Sequence, residues 1–111
     1  MALPIDDQNR PLFTVGQVSD MLEVQQAFLR RLDEFMVVRP SRSAGGQRRY
    51  SRNEVVVVSY VVQLVDQGMT LPAIRRVLEL EARVSELEGE CARLRGQLAD
   101  ALGLRDRKSV V

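Results

Sequence analysis

From Leu12 onward, hydrophobic and polar positions fall into short helical periods broken by turns, then settle into one long regular repeat. In "LFTVGQVSDML", Val15, Val18, Met21 and Leu22 are spaced for one apolar face and Thr14 is an N-cap residue type, which predicts a helix over Val15–Met21. "LEV" serves as a turn. A second helix over Gln25–Glu34 offers Phe28, Leu29 and Leu32 to a core, while Arg30, Arg31 and Asp33 point outward. Two short helices joined by such a turn make a helix-turn-helix, a pattern shared by many helical domains.

The next stretch, "MVVRPSRSAGGQRRYS", changes period. Val37 and Val38 favour a strand and Pro40 limits helix around it. Gly45-Gly46 can supply the positive φ angles of a tight turn, and a strand returns through Gln47, Arg48, Arg49 and Tyr50. A phosphate-cradling enzyme loop would place its glycines between strand and helix with Lys-Ser or Lys-Thr following, and none follows. A basic hairpin directly after a helix-turn-helix reads as a wing. Valines 55–58, 61 and 62 then favour a strand by propensity, but Ser51 and Glu54 form a capping box. The polar residues Ser59, Gln63 and Asp66 recur every three or four positions, which selects a helix over Arg52–Asp66 ended by Gly68. Thr70 can cap the next helix, with Pro72 in its first turn.

From Val77 the residues Val77, Leu80, Val84, Leu87, Cys91, Leu94, Leu98 and Ala101 alternate steps of three and four, the a/d stripe of a coiled coil. Glu81, Arg83, Glu88, Glu90 and Arg95 occupy flanking positions, and Gly89 and Gly96 fall at outward ones. A lone amphipathic helix folded on its own domain would carry a wider stripe, so dimerisation is the expected use. One helix over 77–101 spans roughly 36 Å at about 1.5 Å per residue. Arg83 and Glu88 could pair in a parallel coil, Glu81 and Arg95 in an antiparallel one. The expected organisation is a flexible lead-in over 1–11, a winged helix-turn-helix head over 12–76, a coiled-coil helix over 77–103 and a flexible tail over 104–111. The fold class is mainly α with a small β-hairpin wing.

Composition removes whole classes of chemistry. The 111 residues include no histidine and one cysteine, Cys91. The usual general base, the Ser-His pair, most zinc sites and an internal disulfide are thereby excluded. The adjacent acids Asp6 and Asp7, and Asp33 and Glu34, read as solvated surface charges, so no catalytic residue, metal site or cofactor is expected. Cys91 at an a position is most simply a small core residue, with a redox role the alternative. The net charge of +1 hides an asymmetry. Between Phe28 and Arg52, seven arginines oppose only Asp33 and Glu34, a net of +5, so the remainder carries −4. Clustered arginine suits phosphate because its planar fork donates in pairs. With no apolar run of about 18 residues and no signal-peptide pattern at its start, the chain is expected to be cytoplasmic, without a membrane partner.

"LFTVGQVSDMLEV" followed by "FLRRLDEFMVVRPSRSAGGQRRYSRNEV" resembles the DNA-binding domain of the MerR family of bacterial transcription regulators, and "DQGMTLPAIRRVLELEARVSELE" is similar to the family's following helices. The likeness spans Leu12–Leu94 and is nearest in style to small HspR-type heat-shock repressors, through the wing and the L-x-x-I-x-R-x-x-EL continuation. It implies a head that dimerises through the long C-terminal helix, commonly antiparallel, and reads an inverted repeat in double-stranded DNA. Gln25, Gln26, Arg30 and Arg31 would form the recognition helix's surface, Gln suiting adenine by a bidentate contact. Arg39, Arg42, Arg48, Arg49 and Tyr50 would hold phosphates from the wing, and Thr14 would offer its backbone N–H to another. The chain departs from the family at Phe28, where Thr or Ser is usual, and at Leu32, where an aromatic residue is usual. It departs again at Glu23 and Met36, where the family has glycine.

No effector domain is expected after the coil, and a protein corepressor such as a chaperone is a better candidate regulator than a small molecule. The implied function is a homodimeric transcription regulator, a repressor rather than an activator. The alternatives are an architectural or excisionase-like DNA-bending protein and a coiled-coil adaptor whose head no longer reads DNA.

Overall fold

The computed structural model describes residues 7–103; the expectations for Asp6 and for the tail over 104–111 lie outside them. Seven elements follow in order: β1 (Phe13–Thr14), α1 (Val15–Leu22), α2 (Gln26–Glu34), β2 (Ser41–Arg42), β3 (Arg48–Tyr50), α3 (Arg52–Asp66) and α4 (Leu71–Ala101). The chain is mainly helical, with a winged helix-turn-helix head and a long C-terminal helix, and divides into two compact units between Arg76 and Val77.

Capping sets most of the helix starts in the head. Gln17 N–H donates to Thr14 Oγ1 and Thr14 N–H to Gln17 Oε1, a reciprocal box that begins α1. Ser51 and Glu54 make the same exchange at α3, which has its expected bounds. Ala73 N–H donates to Thr70 Oγ1 at the start of α4. Within the expected lead-in, Asn9 N–H donates to Asp7 Oδ1, and Asn53 at the start of α3 donates its N–H to the Gln8 carbonyl and its Nδ2 to Asn9 Oδ1. Residues 7–9 therefore satisfy a helix terminus that otherwise lacks a backbone acceptor.

The sheet has three strands in the order β1-β3-β2, all antiparallel. Phe13 pairs with Tyr50 and Thr14 with Arg49, while Ser41 pairs with Arg49 and Arg42 with Arg48. β1 carries no periodicity and was not expected from sequence. The strand expected at Val37 and Val38 is absent. Met36 adopts φ 58°, which lets the Val37 and Val38 N–H groups both donate to the Leu32 carbonyl, so these valines close α2 instead of entering the sheet. Of the two turn glycines, only Gly46 takes a positive φ, at 81°.

The head's core is small and aliphatic apart from Tyr50. Val18 of α1, Leu29 and Leu32 of α2, Val58, Val61 and Leu64 of α3, and Leu71 and Ile74 of α4 are buried with Val38. Four residues expected inside are not. Phe28 is only half-buried, Met21 is exposed, and Val15 and Leu22 are covered in part.

Candidate nucleic-acid interface

On α2 the buried pair Leu29 and Leu32 divides the helix surface. At about 100° per residue, Gln26 and Asp33 flank that pair on one side and Phe28, Arg31 and Phe35 on the other, with Arg30 on the outward arc between them. Gln25 is the N-cap of α2 with no side-chain capping bond, so its exposed carboxamide is not engaged by the helix terminus. Gln26, the first helical residue, lies close to α1, where a Cβ added at Gly16 would sit 3.6 Å from its Nε2. Arg30 is exposed. Arg31, also exposed, turns toward a groove lined by Phe28, Val62 and Val65, so the structure separates two arginines that are adjacent in sequence.

The wing turn is held by Ser43. Its N–H donates to the Gln47 carbonyl at 2.7 Å, its carbonyl accepts from Gly46 N–H, and its hydroxyl accepts from Gln47 N–H. The hairpin places Arg42 opposite Arg48, and Asp33 Oδ2 accepts from both, from Arg48 Nε at 2.8 Å and Arg42 Nη2 at 3.1 Å. The Asp33 side chain is only 14 % exposed. Asp33 is therefore a bridge between α2 and the wing, not the solvated surface charge expected from sequence. Two facing arginines with an acid on the preceding helix would have been the sequence signal for it. Arg49 is half-buried and donates from Nη1 to the Arg48 carbonyl at 3.3 Å. Arg39 is exposed just before β2.

Arg42, Arg48 and Arg49 line one open hollow with Gly46, Gln47, Thr14 and Val15, and no acid lines it. Its wall joins the start of α1 to the wing. Two expected roles need correction here. Tyr50 is 1 % exposed, so its ring belongs to the core and cannot reach a phosphate at the surface. Its hydroxyl has no hydrogen-bond partner among the described residues, and burial, opposed by the nearby Arg48 guanidinium, pushes the phenol above its usual 10.0. Thr14 cannot offer its own backbone N–H, because Gln17 Oε1 already accepts from it at 2.8 Å.

The second unit presents a different surface. Leu80, Val84, Leu87, Leu94 and Leu98 are all exposed on α4, as is the Cys91 thiol. Arg83 pairs with Glu86 and Arg93 with Glu90 along the helix itself. Among the described residues, no group of three or more acidic or thiol side chains could hold a metal, and no helix is long and apolar enough to cross a membrane.

Residues 13–81 match the MerR helix-turn-helix regulatory protein family. The helix-turn-helix-type transcriptional regulator GlnR from Bacillus cereus is 33% identical over 73 residues, which cover 66% of this chain and 57% of that protein. A putative heat shock protein HspR from Streptomyces coelicolor is 32% identical over 78 residues, covering 69% of this chain and 52% of that one. The chain thus spans about half the length of the curated relatives it matches. Among solved structures, the N-terminal part of the Bacillus subtilis multidrug transporter activator MtaN superposes with a TM-score of 0.57 at 17% identity, over 89% of this chain and 99% of that chain. HiNmlR, a MerR family regulator lacking the sensor domain and bound to promoter DNA, superposes with a TM-score of 0.58 at 21% identity, over 88% and 85% of the two chains.

Proposed function

This chain belongs to the MerR helix-turn-helix family, and from that premise we propose that it is a DNA-binding transcription regulator that acts as a homodimer, as a repressor, on an inverted-repeat operator. The observation that carries this reading is the hollow with three arginines and no acid, set between the start of α1 and the wing. The exposed Gln25, Gln26 and Arg30 share the same head. A hollow of that charge attracts phosphate whatever the sequence, and the α2 side chains supply the base-edge chemistry. Phosphate contacts go to Arg48, Arg49 and Arg39, and to Arg42 once the operator draws it from Asp33, with Arg31 at the edge of the surface. Tyr50 supports β3 from the core.

Dimerisation is the use that best fits α4. Among the described residues beyond Val77 its apolar side chains at the spacing of a coiled-coil seam stay exposed, Val84 at 54 % and Leu98 at 60 %. Val77, Leu80, Val84, Leu87, Cys91, Leu94, Leu98 and Ala101 form that seam. A helix of roughly 36 Å over residues 77–101 would suit two heads on half-sites about 34 Å apart. A protein corepressor of the chaperone class is the regulator this reading carries forward from the family resemblance. A cytoplasmic, nucleoid-associated location follows from the same reading.

Recovery of host genomic fragments by the purified protein near physiological salt, followed by footprinting, tests it. An enriched inverted repeat protected over two half-sites is the expected result. Unfocused coverage or direct repeats would replace the operator reading with an architectural one, and no recovery by folded protein would refute DNA binding.

A further inference from the structure

The hairpin register sets Arg42 directly opposite Arg48. Like charges at facing positions of a two-stranded ladder destabilise it. One carboxylate oxygen resolves the conflict by accepting from both guanidinium groups. Asp33 lies in the last turn of α2, where an acid meets the negative end of the helix dipole. Local helix energetics thus disfavour an acid at this position, and its partners on the wing account for it.

The two arginines are held unequally. Arg48 is 18 % exposed and covered, whereas Arg42 is 51 % exposed. Arg42 also donates from Nη1 to the Gly46 carbonyl at 3.1 Å, which braces it across the turn. Its Nη2 donates to Asp33 while the side chain stands at the wall of the basic hollow. Carboxylate and phosphate oxygens compete for the same guanidinium donors.

We infer that Asp33 is a positioning residue for DNA binding. It ties the wing to the recognition helix and holds Arg42 back from phosphate, so that the wing alone does not grip any duplex it meets. The inference rests on the DNA-binding reading above and deepens it by assigning a discriminating role to an acid inside a basic surface.

The test is the salt dependence of binding to a random-sequence duplex of about thirty base pairs, followed by fluorescence anisotropy with the full chain. Asp33→Asn keeps the shape and removes the charge. Its plot of log affinity against log salt should steepen by about 0.9, the increment for one added phosphate contact. In Asp33→Asn/Arg42→Gln the added slope should be lost, which traces it to Arg42. Glu34→Gln, the exposed neighbour, removes the same formal charge and should leave the wild-type slope in place. Asp33→Glu, which keeps the charge, should stay near wild type. A wild-type slope in Asp33→Asn, or equal steepening in Glu34→Gln, overturns the inference while leaving DNA binding intact. Asp33→Ser repeats the measurement where Asp33→Asn does not fold. A wild-type protein that binds neither this duplex nor genomic fragments overturns both readings together.

Discussion

Glu23 adopts φ 55° and ψ 45° at the C-terminal end of α1, the left-handed region. The substitution Glu23→Gly isolates the cost of that conformation. A non-glycine residue there costs roughly 1–2 kcal/mol from the Cβ clash. Glycine returns roughly 0.5–1 kcal/mol of this through its greater freedom in the unfolded chain. The exposed Glu23 carboxylate also faces the negative end of the α1 dipole, an unfavourable contribution of about 0.3 kcal/mol or more. Backbone closure is unaffected, since the Glu23 and Val24 N–H groups both donate to the Ser19 carbonyl and neither bond needs a side chain at residue 23. The balance is a gain of about 1 kcal/mol, or about 4–8 °C in Tm for a domain of this size. Thermal and urea melts at one fixed protein concentration measure it, because dimerisation would make Tm concentration-dependent. Glu23→Ala removes the charge and keeps the clash, so it should gain about 0.3 kcal/mol at most. A neutral or destabilised glycine variant, or an alanine variant that gains as much, would refute the assignment of strain to this backbone position.

Three other substitutions probe the remaining features. Tyr50→Phe deletes a buried hydroxyl that has no partner among the described residues, so stability should hold or rise by about 1 kcal/mol with DNA affinity unchanged. Because burial raises the Tyr50 phenol, its contribution to stability is present below pH 10.0 and is lost as pH rises through the folded value. The phenylalanine variant should therefore show a shallower alkaline loss in pH-dependent melts. Ser51→Ala removes the acceptor for Glu54 N–H at a buried cap and should cost about 1 kcal/mol by urea denaturation. Leu87→Asp places a charge in the middle of the α4 stripe, and sedimentation equilibrium should then report a monomer; a dimer would exclude that stripe as the interface.

Features written by neighbouring residues were legible in the sequence. The Ser51 and Glu54 box and the three-to-four spacing of polar residues located α3 despite its run of valines, because a cap and a period are local signals. Features that depend on distant partners were not. β1 is two residues long and exists through pairing with β3, so nothing near Phe13 announces it. Val37 and Val38 carry strand propensity, yet the left-handed turn at Met36 commits their amides to Leu32. The family's glycine at positions 23 and 36 does mark the two non-glycine residues with positive φ among the described residues. In the interface, the arginine cluster was evident from composition. How it divides was not: Arg48 is paired with Asp33, Arg31 lines a groove with Phe28, Val62, Val65 and Asp66, and Tyr50 is inside the core.

The pairing of Phe13 with Tyr50 also bears on how the head opens and closes. Those residues are thirty-seven positions apart, so the contact closes a loop containing both α1 and α2 and is entropically late to form. The strand that makes it leads straight into the capped start of α1, and its partner strand leads into the capped start of α3. Fraying of the wing's central strand therefore releases two helix termini at once. The wing opens cooperatively with the start of α1, and amide protons at Thr14, Gln17 and Arg49 should exchange with one shared opening free energy, not three.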